Sequence, residues 1–486
     1  MKGLLTFDVG TTSMKCILFN ENFEELFYEN KEYDIETAQN GVAEIDAEVY
    51  FNTFCDCITA MKQKAGLEQI AAICFTTQGE TLIPVDEKGT PVCKAIVWLD
   101  TRAGEEADFI KNNIAREEMY SVTGLYEIDG ALPIAKVMWL CKNRPDVYHK
   151  TYKFMLLEDY LIYRLTGKMV SEKSLQSSTG WYDIMNDQMY EKILRICQID
   201  KAKFPEILSC GTVVENISGD MSVALGLPQE AVVVTGAMDQ ISSAIGAGNI
   251  RQGIITETTG TALVVGATVE KPEFDVNVPL TVYKHFNDQY IYMPYFGTAG
   301  ITLKWFRDTI MPNAVKEAEQ AGKSSYQLLN ELAQTSPAGS GGVVMNPNLM
   351  SGGAFYGMTL STSLADLARS VMEGVAFMLR SLIETVEKKG IEVDTILSMG
   401  GGSYSELWSN IKASVCGKRI YCVGYSQTTS LGAAILAAVG IGLYENVETA
   451  LEKVKATGRT IEPNADEKTV YDIAYMDYKN YIQNGG

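Results

Sequence analysis

The chain has 486 residues, of which 46% are hydrophobic, and a formal net charge of −20. This length is enough for two or more domains with cores of their own. The acidic balance argues against a broad basic face for nucleic acid or for an anionic membrane. With only two histidines, His149 and His285, a His-rich metal cluster is excluded, and a Ser-His-Asp triad would have to use one of them.

The sequence shows no pattern that is typical of a secreted protein. The N-terminus reaches Asp8 almost at once without a signal-peptide pattern. The most apolar stretch, 431–443, is far shorter than the roughly 20 residues that span a bilayer. The ten cysteines are scattered, and the closest pair, Cys55 and Cys57, lacks C-x-x-C spacing. We therefore expect reduced thiols and a cytoplasmic protein.

The first predicted element is a tight β-hairpin over residues 4–19. An apolar run stops at Asp8, a turn of small residues follows, and a second apolar run returns. The turn consists of Gly10, Thr11, Thr12 and Ser13. Such a tip presents backbone N–H groups in a row, which bind anions, and the carboxylate beside them can hold a metal ion. The pattern fits the phosphate tail of a Mg-nucleotide; an ordinary turn of small residues is the alternative.

Alternating strand and helix patterns follow, as in α/β folds. Asp46 is positioned to cap a helix that ends at Gly66, and a strand over 70–75 comes next. That strand runs into a polar loop, 76–81, with the sequence TTQGET.

A further short apolar run, 95–99, ends at Asp100 and Arg102. Functional groups collect at strand ends in open α/β sheets, which favours Glu80, Asp100 and Arg102 as functional residues. A surface loop with a salt bridge is the alternative.

A strand that is buried by composition, 231–235, runs towards Asp239 and a helix rich in small residues. A carboxylate just past a buried strand, at a helix N-terminus, is held rigidly and is open to a cleft. A harmless helix-capping role is the alternative.

A second hairpin with the same pattern as the first is predicted over residues 254–265. Its tip runs from Glu257 to Thr261 and contains Thr259 and Gly260. The two hairpins lie about half a chain apart, which predicts a duplicated fold that grips one ligand between its lobes. Coincidence between short hairpins is the alternative.

Two glycine-rich patterns lie in the second half. A strand over 395–399 ends in three glycines and a serine, 400–403, which let a flat ligand or a phosphate approach the backbone, although the letters also suit a simple turn. Residues 431–434 open a small-residue helix that either walls a nucleotide pocket or only packs tightly. Two familiar nucleotide-binding motifs are absent from the sequence. Residues 322–324 resemble the end of a Walker A loop but lack its upstream glycine, and no G-x-G-x-x-G follows a predicted strand.

Taken in order, these patterns resemble the FGGY carbohydrate kinases, within the actin-like ATPase superfamily, over nearly the whole chain. The most specific part is GAFYGMTLSTSLADLARSVMEG, 353–374, which is similar to the C-terminal signature of that family. The other matching segments are DVGTTS at 8–13, WLDTR at 98–102, TGL to KVMWL at 123–140, LEDYLIYRLTG at 157–167, AMDQ at 237–240, TTGTA at 258–262 and GGGSYSELW at 400–408.

The resemblance implies an α/β fold of two actin-like (ribonuclease H-like) lobes with the active site in the cleft between them. The N-terminal lobe, 1–246, would carry the sugar site and the first phosphate loop. The C-terminal lobe, 247–486, would carry the second phosphate loop and the adenosine site. The implied reaction is transfer of the γ-phosphate of ATP to a hydroxyl of a sugar or polyol, with Mg²⁺ as the metal; the resemblance also favours a homodimer.

The resemblance further implies roles for individual residues. Asp239 matches the base that takes the proton of the acceptor hydroxyl, and Asp8 matches the aspartate associated with Mg²⁺. The implied ATP-binding residues are Gly10, Thr11, Thr12, Ser13, Thr259, Gly260, Thr261, Gly401, Gly402 and Ser403. The implied substrate-binding residues are Gln78, Gly79, Glu80, Trp98, Asp100, Arg102, Asp239 and Gln240.

The acceptor loop, 76–81, resembles the Gln-Arg-Glu-Thr of glycerol kinases with Gly79 in place of Arg, and it lacks the His of the xylulokinase sequence Gln-Met-His-Gly. Glu80 and Asp100 are expected to accept hydrogen bonds from sugar hydroxyls, and Gly79 to leave room for a molecule larger than glycerol. We therefore expect a sugar or polyol of several carbons, with a ketopentose such as xylulose as the first choice.

Two other functions stand beside the kinase. An actin-like scaffold that changes shape on binding ATP gives no reason for the AMDQ site or for the polar strand-end loops. A sugar sensor without turnover is disfavoured because Asp8, Asp239 and both hairpins are present.

Overall fold

The computed structural model describes residues 2–484. The chain forms two compact units. The first consists of the residues up to Gly248, Glu270–Ile291 and Gln427–Lys455; the second consists of Asn249–Val269, Tyr292–Ser426 and the residues from Ala456 onward. The predicted halves, 1–246 and 247–486, therefore differ from the units, because two segments of the C-terminal half pack with the N-terminal half.

The strands, in chain order, are β1 (Gly3–Val9), β2 (Ser13–Phe19), β3 (Glu25–Glu32), β4 (Glu36–Ala38), β5 (Val42–Ile45), β6 (Ile70–Thr77), β7 (Leu82–Val85), β8 (Ala95–Ile96), β9 (Lys153–Leu156), β10 (Val170–Glu172), β11 (Tyr182–Asp183), β12 (Gln188–Met189), β13 (Glu206–Leu208), β14 (Val213–Asn216), β15 (Val232–Met238), β16 (Ile254–Thr259), β17 (Leu263–Val269), β18 (Val282–Lys284), β19 (Tyr290–Tyr292), β20 (Tyr295–Phe296), β21 (Val344–Asn346), β22 (Ala354–Tyr356), β23 (Thr395–Met399), β24 (Arg419–Cys422) and β25 (Arg459–Ile461).

The helices are α1 (Ala47–Lys64), α2 (Gly104–Asn113), α3 (Arg116–Thr123), α4 (Pro133–Asn143), α5 (Pro145–Lys150), α6 (Leu157–Thr166), α7 (Lys173–Gln176), α8 (Glu191–Ile196), α9 (Gly219–Leu225), α10 (Asp239–Ala247), α11 (Gly300–Trp305), α12 (Ala314–Gln320), α13 (Ser325–Gln334), α14 (Leu364–Glu387), α15 (Glu406–Cys416), α16 (Thr428–Gly440), α17 (Val447–Leu451) and α18 (Ala465–Asn484).

The sheet of the first unit has the order β14-β15-β6-β1-β2-β3. The hairpin partners β1 and β2 are antiparallel, whereas β6 runs parallel to both β1 and β15. Every residue of β1 is buried, as is typical of a central strand covered on both faces. The carboxyl ends of β1, β6 and β15 therefore lie along one edge of this sheet.

The sheet of the second unit repeats this arrangement. Its strands follow the order β25-β24-β23-β16-β17, and β20 pairs with β17. The hairpin partners β16 and β17 are antiparallel, β23 is parallel to β16 and β24, and β25 is antiparallel to β24. The same strand order in both sheets confirms the duplication predicted from the two hairpins.

Helix α1 shows why the local predictions succeed. The side chain of Asp46 accepts a hydrogen bond from the backbone N–H of Glu48 at 3.0 Å and caps the helix as predicted. Its apolar stripe, which includes Tyr50, Phe54 and Ile58, is buried in the core of the first unit. Burial of such a stripe, at about 25 cal/mol per Å² of apolar surface, is what keeps the helix on the sheet.

Helices α10 and α16 of the first unit pack at backbone distance. A Cβ on Gly246 would lie 2.0 Å from the carbonyl oxygen of Thr428, and a Cβ on Gly432 would lie 1.8 Å from that of Ser242. The hydroxyl of Ser242 donates to the carbonyl of Thr429 at 2.8 Å. Of the two interpretations of 431–434, tight packing is therefore correct. Helix α16 packs against α10, the helix that begins at Asp239.

None of the helices in the described part of the chain combines the length and apolar character that crossing a bilayer requires. All ten cysteines are free thiols, as predicted. Cys55 and Cys57 both lie within α1.

Candidate active site

The predicted residues of the first unit lie at the carboxyl ends of neighbouring strands. Gln78 follows β6, and Asp239 follows β15 directly. The tip of the first hairpin, 10–12, joins β1 to β2. In open α/β sheets this edge is where ligands bind.

The first hairpin carries Asp8 beside its tip, one residue before the end of β1. Asp8 Oδ2 accepts a hydrogen bond from Lys15 Nζ at 3.0 Å, and the two residues are paired across the hairpin. The hydroxyl of Tyr33 donates to the carbonyl of Gly10 at 2.6 Å and fixes the turn. Thr12 is exposed at the tip. The turn is therefore rigid and open to a ligand.

Asp239 is the first residue of α10 and is partly exposed. Its Oδ1 accepts a hydrogen bond from the backbone N–H of Gln240 at 2.6 Å. Burial raises the pKa of Asp239 to about 7; the negative charge of Asp8 adds to the rise, and the positive charge of Lys15 opposes it. A carboxyl group with this pKa is present in both protonation states near neutral pH, which suits acid–base work.

Gln78 joins the acceptor loop to the first hairpin. Its backbone N–H donates to the carbonyl of Val9 at 3.0 Å, and its side-chain Nε2 donates to the hydroxyl of Tyr50 at 3.3 Å. The side chain is buried, yet its Oε1 has no hydrogen-bond partner among residues 2–484. A buried acceptor without a partner is costly, so this oxygen is suited to a donor from a ligand.

Glu80 adopts a left-handed backbone conformation, with φ at +65°, which is uncommon for a residue other than glycine. Its carbonyl accepts a hydrogen bond from Lys136 Nζ at 3.3 Å, and the same ammonium donates to the carbonyl of Val97 at 2.9 Å. Burial raises the pKa of Glu80 to about 7 and lowers the pKa of Lys136 to about 8, while the charge of each opposes the shift of the other. Lys136 was not among the residues predicted from the sequence, although a lysine within the apolar pattern of α4 is a signal that could have indicated a buried cation.

The space beside Gly79 is not open. A Cβ there would lie 3.0 Å from Met238 Sδ and 3.2 Å from Ser178 Oγ. The expectation that a glycine at position 79 leaves room for a larger acceptor is therefore wrong on the side where a Cβ would point, because Met238 and Ser178 are buried there and fill the space.

Asp100 and Arg102 are engaged within the protein. Asp100 is wholly buried; its Oδ2 accepts hydrogen bonds from the backbone N–H of Ala43 at 2.7 Å and from Arg102 Nε at 2.9 Å. Arg102 also pairs with Glu44 Oε1 at 2.7 Å and lies over the ring of Trp139. The structure therefore does not support Asp100 as an acceptor for sugar hydroxyls: the salt-bridge alternative describes this pair, and its role is to anchor the loop.

Trp98 lies two residues earlier and is 38% exposed. Its indole Nε1 donates to Thr11 Oγ1 at 2.9 Å, so the loop is tied to the first hairpin. The exposed ring offers the apolar face that sugar sites use. Gln240, the remaining predicted residue of this half, is exposed.

The second hairpin is held by a buried ion pair. Lys412 Nζ lies 2.8 Å from Glu257 Oε1 and 2.7 Å from Thr259 Oγ1, and both charged side chains are closed to solvent. The hydroxyl of Ser398 also donates to Glu257. The negative charge of Glu257 in this hairpin is thus balanced by the positive charge of Lys412. The sequence analysis missed Lys412, since its partner is 155 positions away in the chain.

A cavity of about 650 Å³ opens at the tip of the second hairpin, within the second unit. The predicted residues that line it are Thr259, Gly260, Thr261, Gly401 and Gly402. Lining residues that the sequence analysis did not identify include Lys304, Tyr326, Gln327, Asn330, Ser405 and Trp408. Its volume and its mix of aromatic and polar side chains suit a ligand of nucleotide size.

The glycine loop after β23 packs against the hairpin. A Cβ on Gly402 would lie 2.8 Å from the Cβ of Thr259, and Gly400 has φ at +75°, so both positions need glycine. Ser403 is buried and donates its hydroxyl to the carbonyl of Gly400 at 2.8 Å. Its side chain therefore shapes the loop, while Ser405 contributes to the cavity wall.

The side-chain oxygens of two amide residues on α13 accept hydrogen bonds within the protein. Gln327 Oε1 accepts the backbone N–H of Ser324 at 2.8 Å and completes a capping box. Asn330 Oδ1 accepts the hydroxyl of Ser405 at 3.0 Å. The amide nitrogens remain as donors for a ligand in the cavity. Ser324, the end of the failed Walker A pattern, is thus a helix cap.

The residues at the first hairpin fit a magnesium ion bound with phosphates. Mg²⁺ is usually held by one or two carboxylates together with phosphate oxygens and waters. Asp8 supplies one carboxylate, and its negative charge raises the pKa of Asp239, so an added cation would relieve their repulsion. Among residues 2–484, no group of three or more His, Cys, Asp or Glu side chains is placed to hold a metal ion by itself.

Comparison with known proteins gives a consistent answer. The model of the FGGY family of carbohydrate kinases matches with its N-terminal domain over residues 4–246 and with its C-terminal domain over residues 256–441. The chain is 25% identical over 494 residues to gluconokinase from Bacillus subtilis, covering 99% of this chain and 96% of that one. It is 25% identical over 492 residues to xylulose kinase from Staphylococcus xylosus, covering 99% of each.

Among solved structures, the ligand-bound xylulose kinase from Lactobacillus acidophilus superposes with a TM-score of 0.90 at 25% identity, covering 100% of this chain and 98% of that one. The agreement over the full length supports the predicted fold class: an α/β chain with two actin-like lobes.

Proposed function

The chain belongs to the FGGY family of carbohydrate kinases, and from this we propose that Asp239 is the general base for phosphorylation of a neutral sugar or polyol. Transfer of a phosphate from ATP to a carbohydrate is the activity of this family, and it is the activity of this chain. Our first choice of acceptor is a ketopentose such as xylulose.

One observation carries the proposal: Asp239 begins a helix at the carboxyl end of β15 with a pKa raised to about 7. In the proposed step, the carboxylate of Asp239 takes the proton of the acceptor hydroxyl while that oxygen forms a bond to the γ-phosphorus. The bond between the γ-phosphorus and the β–γ bridging oxygen breaks, and ADP leaves with that electron pair. A positioned base of this kind contributes about 10²–10⁴-fold to the rate.

We propose that the phosphates of ATP are bound by backbone N–H groups at the two hairpin tips, 10–13 and 259–261. The adenosine part would occupy the cavity beside Gly401 and Gly402, with the backbone of Ser403 supporting the loop. Oriented backbone dipoles stabilise charge that develops on phosphate oxygens without reorganising during the reaction. The first unit would thus carry the acceptor site and one phosphate loop, and the second unit the other loop and the nucleoside site.

Charge favours a neutral acceptor over a sugar acid. The negative charges of Asp129 and Asp239 both raise the pKa of Glu80, so several carboxyl groups act on the acceptor loop. The ammonium of Lys136 is closed to solvent and donates to two backbone carbonyls. A carboxylate on the acceptor would meet repulsion here, whereas sugar hydroxyls can donate to Glu80 and to Gln78 Oε1.

Mg²⁺ is the metal we propose, with Asp8 as its protein ligand. When bound, it would neutralise charge on the phosphates. Lys15, which now pairs with Asp8, would remain close to those phosphates.

We propose a cytoplasmic location, since ten free thiols suit a reducing compartment and ATP is the co-substrate. The absence of nucleic-acid and membrane partners stays a prediction from the acidic net charge, and a homodimer stays a prediction of the family resemblance. Analytical ultracentrifugation at several protein concentrations tests it.

The decisive experiment is an ADP-release assay with Mg-ATP across ketopentoses, aldoses, polyols and sugar acids. We expect one neutral acceptor to dominate. Asp239→Asn should lower kcat by at least about 100-fold and leave the KM for ATP within about 2-fold. The matched control is Asp220→Asn, an exposed aspartate in the first turn of α9, which should keep its activity. Near-normal turnover in Asp239→Asn would remove the base role, and a sugar acid as the best substrate would overturn the charge argument.

A further inference from the structure

The strand that ends just before Asp239 is irregular near its end. The register of β15 against β6 shifts between Val234 and Ala237, so β15 carries a bulge. A bulge bends its strand and redirects the residues that follow. This one requires Gly236, where a Cβ would lie 1.7 Å from the carbonyl oxygen of Phe75.

One buried carboxyl group binds the backbone of this bulged segment directly, and a second is linked to it through a hydroxyl. Glu158 Oε1, on α6, accepts the N–H of Gly236 at 2.7 Å. The N–H of Met238 donates to Ser174 Oγ at 2.9 Å, and that hydroxyl donates to Glu172 Oε1 at 2.7 Å. Glu158 is 1% exposed and Glu172 is 0% exposed. Because water is excluded, it does not compete for these hydrogen bonds.

Burying both carboxyl groups here destabilises the folded state. Burial raises the pKa of Glu158 well above its ordinary value, and the negative charge of Glu172 adds to the rise. Glu158 Oε2 has no hydrogen-bond partner in the described part of the chain. A buried polar atom without a partner destabilises the folded state, so a purely structural contact would be better made by a smaller polar group.

We propose that Glu158 and Glu172 are positioning residues, which fix the direction in which Asp239 leaves β15. Glu158 acts directly on Gly236, and Glu172 acts on Met238 through Ser174. Neither carboxyl group is exposed, so neither is a catalytic residue. This inference rests on the proposed role of Asp239 as the base.

The positioning role predicts a loss in kcat rather than in ATP binding, because the nucleotide cavity is lined by residues of the second unit. Glu158→Leu removes the acceptor for the N–H of Gly236, whereas Glu158→Gln keeps an oxygen at the same place. We expect kcat to fall by about 10–100-fold in the leucine variant, since a shift of about 1 Å in a reacting group has an effect of this size. The glutamine variant should recover most of kcat, and the KM for ATP should stay within about 2-fold in both.

The control is another buried carboxylate that binds backbone N–H groups in the first unit. Asp183 is 7% exposed, and its Oδ1 accepts the N–H groups of Met185 and Asn186, both at 3.1 Å. Asp183→Leu should lower Tm without lowering kcat of the folded enzyme. An equal loss of kcat in this control, or an undiminished kcat in Glu158→Leu, would overturn the proposal.

A milder variant keeps the test valid if Glu158→Leu does not fold. Ser174→Ala removes one hydroxyl from the link between Glu172 and Met238 and leaves the rest of the fold intact. We expect kcat to fall by about 5-fold, as for other lost hydrogen bonds of about 1 kcal/mol, with little change in the KM for ATP. An unchanged kcat in Ser174→Ala would remove Glu172 from the positioning role.

A double-mutant cycle separates this inference from the proposed function. If Glu158 acts through Asp239, Glu158→Leu should have little further effect on the residual turnover of Asp239→Asn. A full additional loss in that background would identify a general structural effect and overturn the positioning role. Normal turnover of Asp239→Asn alone would instead overturn the base on which the inference rests.

Discussion

Lys412 and Glu257 form an ion pair, Nζ to Oε1 at 2.8 Å, in which both side chains are completely closed to solvent. The ammonium also donates to Thr259 Oγ1 at 2.7 Å, at the end of β16. Since the second hairpin tip begins at the next residue, the pair joins α15 to a proposed phosphate loop. The charges are therefore part of what holds the loop in place.

Removing one partner of this pair should be strongly destabilising, because the other charge stays buried and unpaired. We expect Lys412→Met to lower the free energy of unfolding by about 3–5 kcal/mol. Urea unfolding monitored by circular dichroism measures this change. The control is Arg419→Met, which breaks the exposed pair of Arg419 Nε with Glu462 Oε1 at 2.7 Å and should cost about 0–1 kcal/mol. Equal losses in the two variants would contradict this account.

The dependence of kcat on pH should report the charges around Asp239. The proposed base must be deprotonated to act, so kcat should decline on the acid side as Asp239, whose pKa is raised by burial, takes up a proton. The charge of Lys15 opposes that rise, so Lys15→Gln should move the acid limb to higher pH. Initial rates at saturating substrate across the pH range measure the shift.

The control for the pH profile is Lys31→Gln on β3, which removes a partly exposed cation of the same unit that pairs with Glu29 at 3.3 Å. Its acid limb should coincide with that of the unmodified chain. A shift to lower pH in Lys15→Gln, or an equal shift in the control, would exclude a local electrostatic effect on Asp239.

Asp239 should also make the fold less stable as pH rises. Its folded-state pKa, about 7, lies above the ordinary value of 3.8, so folding favours the protonated form. This contribution to stability is complete below the ordinary pKa and is lost as pH rises through the folded pKa. Asparagine does not ionise, so Asp239→Asn should have a higher Tm than the unmodified chain at about pH 8, and the difference in Tm should be smaller at about pH 4.5. Calorimetry at both pH values tests this, and a lower Tm for the variant at the higher pH would contradict it.

Lys304 should contribute to ATP affinity. It is the only cationic side chain among the described residues that line the 650 Å³ cavity, and its Nζ pairs with Asp308 Oδ2 at 2.7 Å. A phosphate oxygen would compete for the ammonium, and one charge-assisted contact is worth about 1.4 kcal/mol, or about tenfold. Lys304→Met should therefore raise the KM for ATP by about 10-fold and leave the KM for the sugar unchanged. Lys316→Met, on α12 of the same unit, is the control; equal effects would indicate only long-range charge.

The packing of α10 on α16 should be intolerant of a single methyl group. In Gly432→Ala the new Cβ would meet the carbonyl oxygen of Ser242, 1.8 Å away, so α10 must move. We expect a loss of about 1–3 kcal/mol in the free energy of unfolding together with a lower kcat, because Asp239 begins that helix. Gly219→Ala, at the start of α9 where the nearest atom to a new Cβ is 3.9 Å away, should be neutral. A stable Gly432→Ala variant with normal kcat would contradict the coupling.

Local patterns were sufficient for much of the fold. The hairpin at 4–19, the helix capped by Asp46 and the strand that leads to Asp239 each follow from residues that are close together in the sequence. Turn chemistry, capping and period-two burial act over a few residues, so the letters alone predict them. The similarity between the two hairpins also predicted the duplicated fold.

The roles of charged side chains depended on partners that are far apart in the chain. Asp100 looks like a ligand for sugar hydroxyls until its hydrogen bond from Ala43, 57 positions away, is seen. Lys136 is an unremarkable helix residue until its ammonium reaches the carbonyl of Glu80. A sequence pattern shows that a polar group exists, but whether the group is satisfied depends on which strands and helices pack beside it.

The sequence by itself determined the family, the two hairpins and the position of Asp239 after a buried strand, because these features consist of contiguous residues with specific spacing. Only the tertiary structure decided which carboxyl groups are engaged within the protein, and which residues hold the segment before Asp239. The bulge before Asp239 is bound by Glu158, 78 positions from Gly236, and the second hairpin by Lys412, 153 positions from Thr259. Burial and hydrogen bonding between distant segments decide which of these groups are engaged, and local sequence specifies neither.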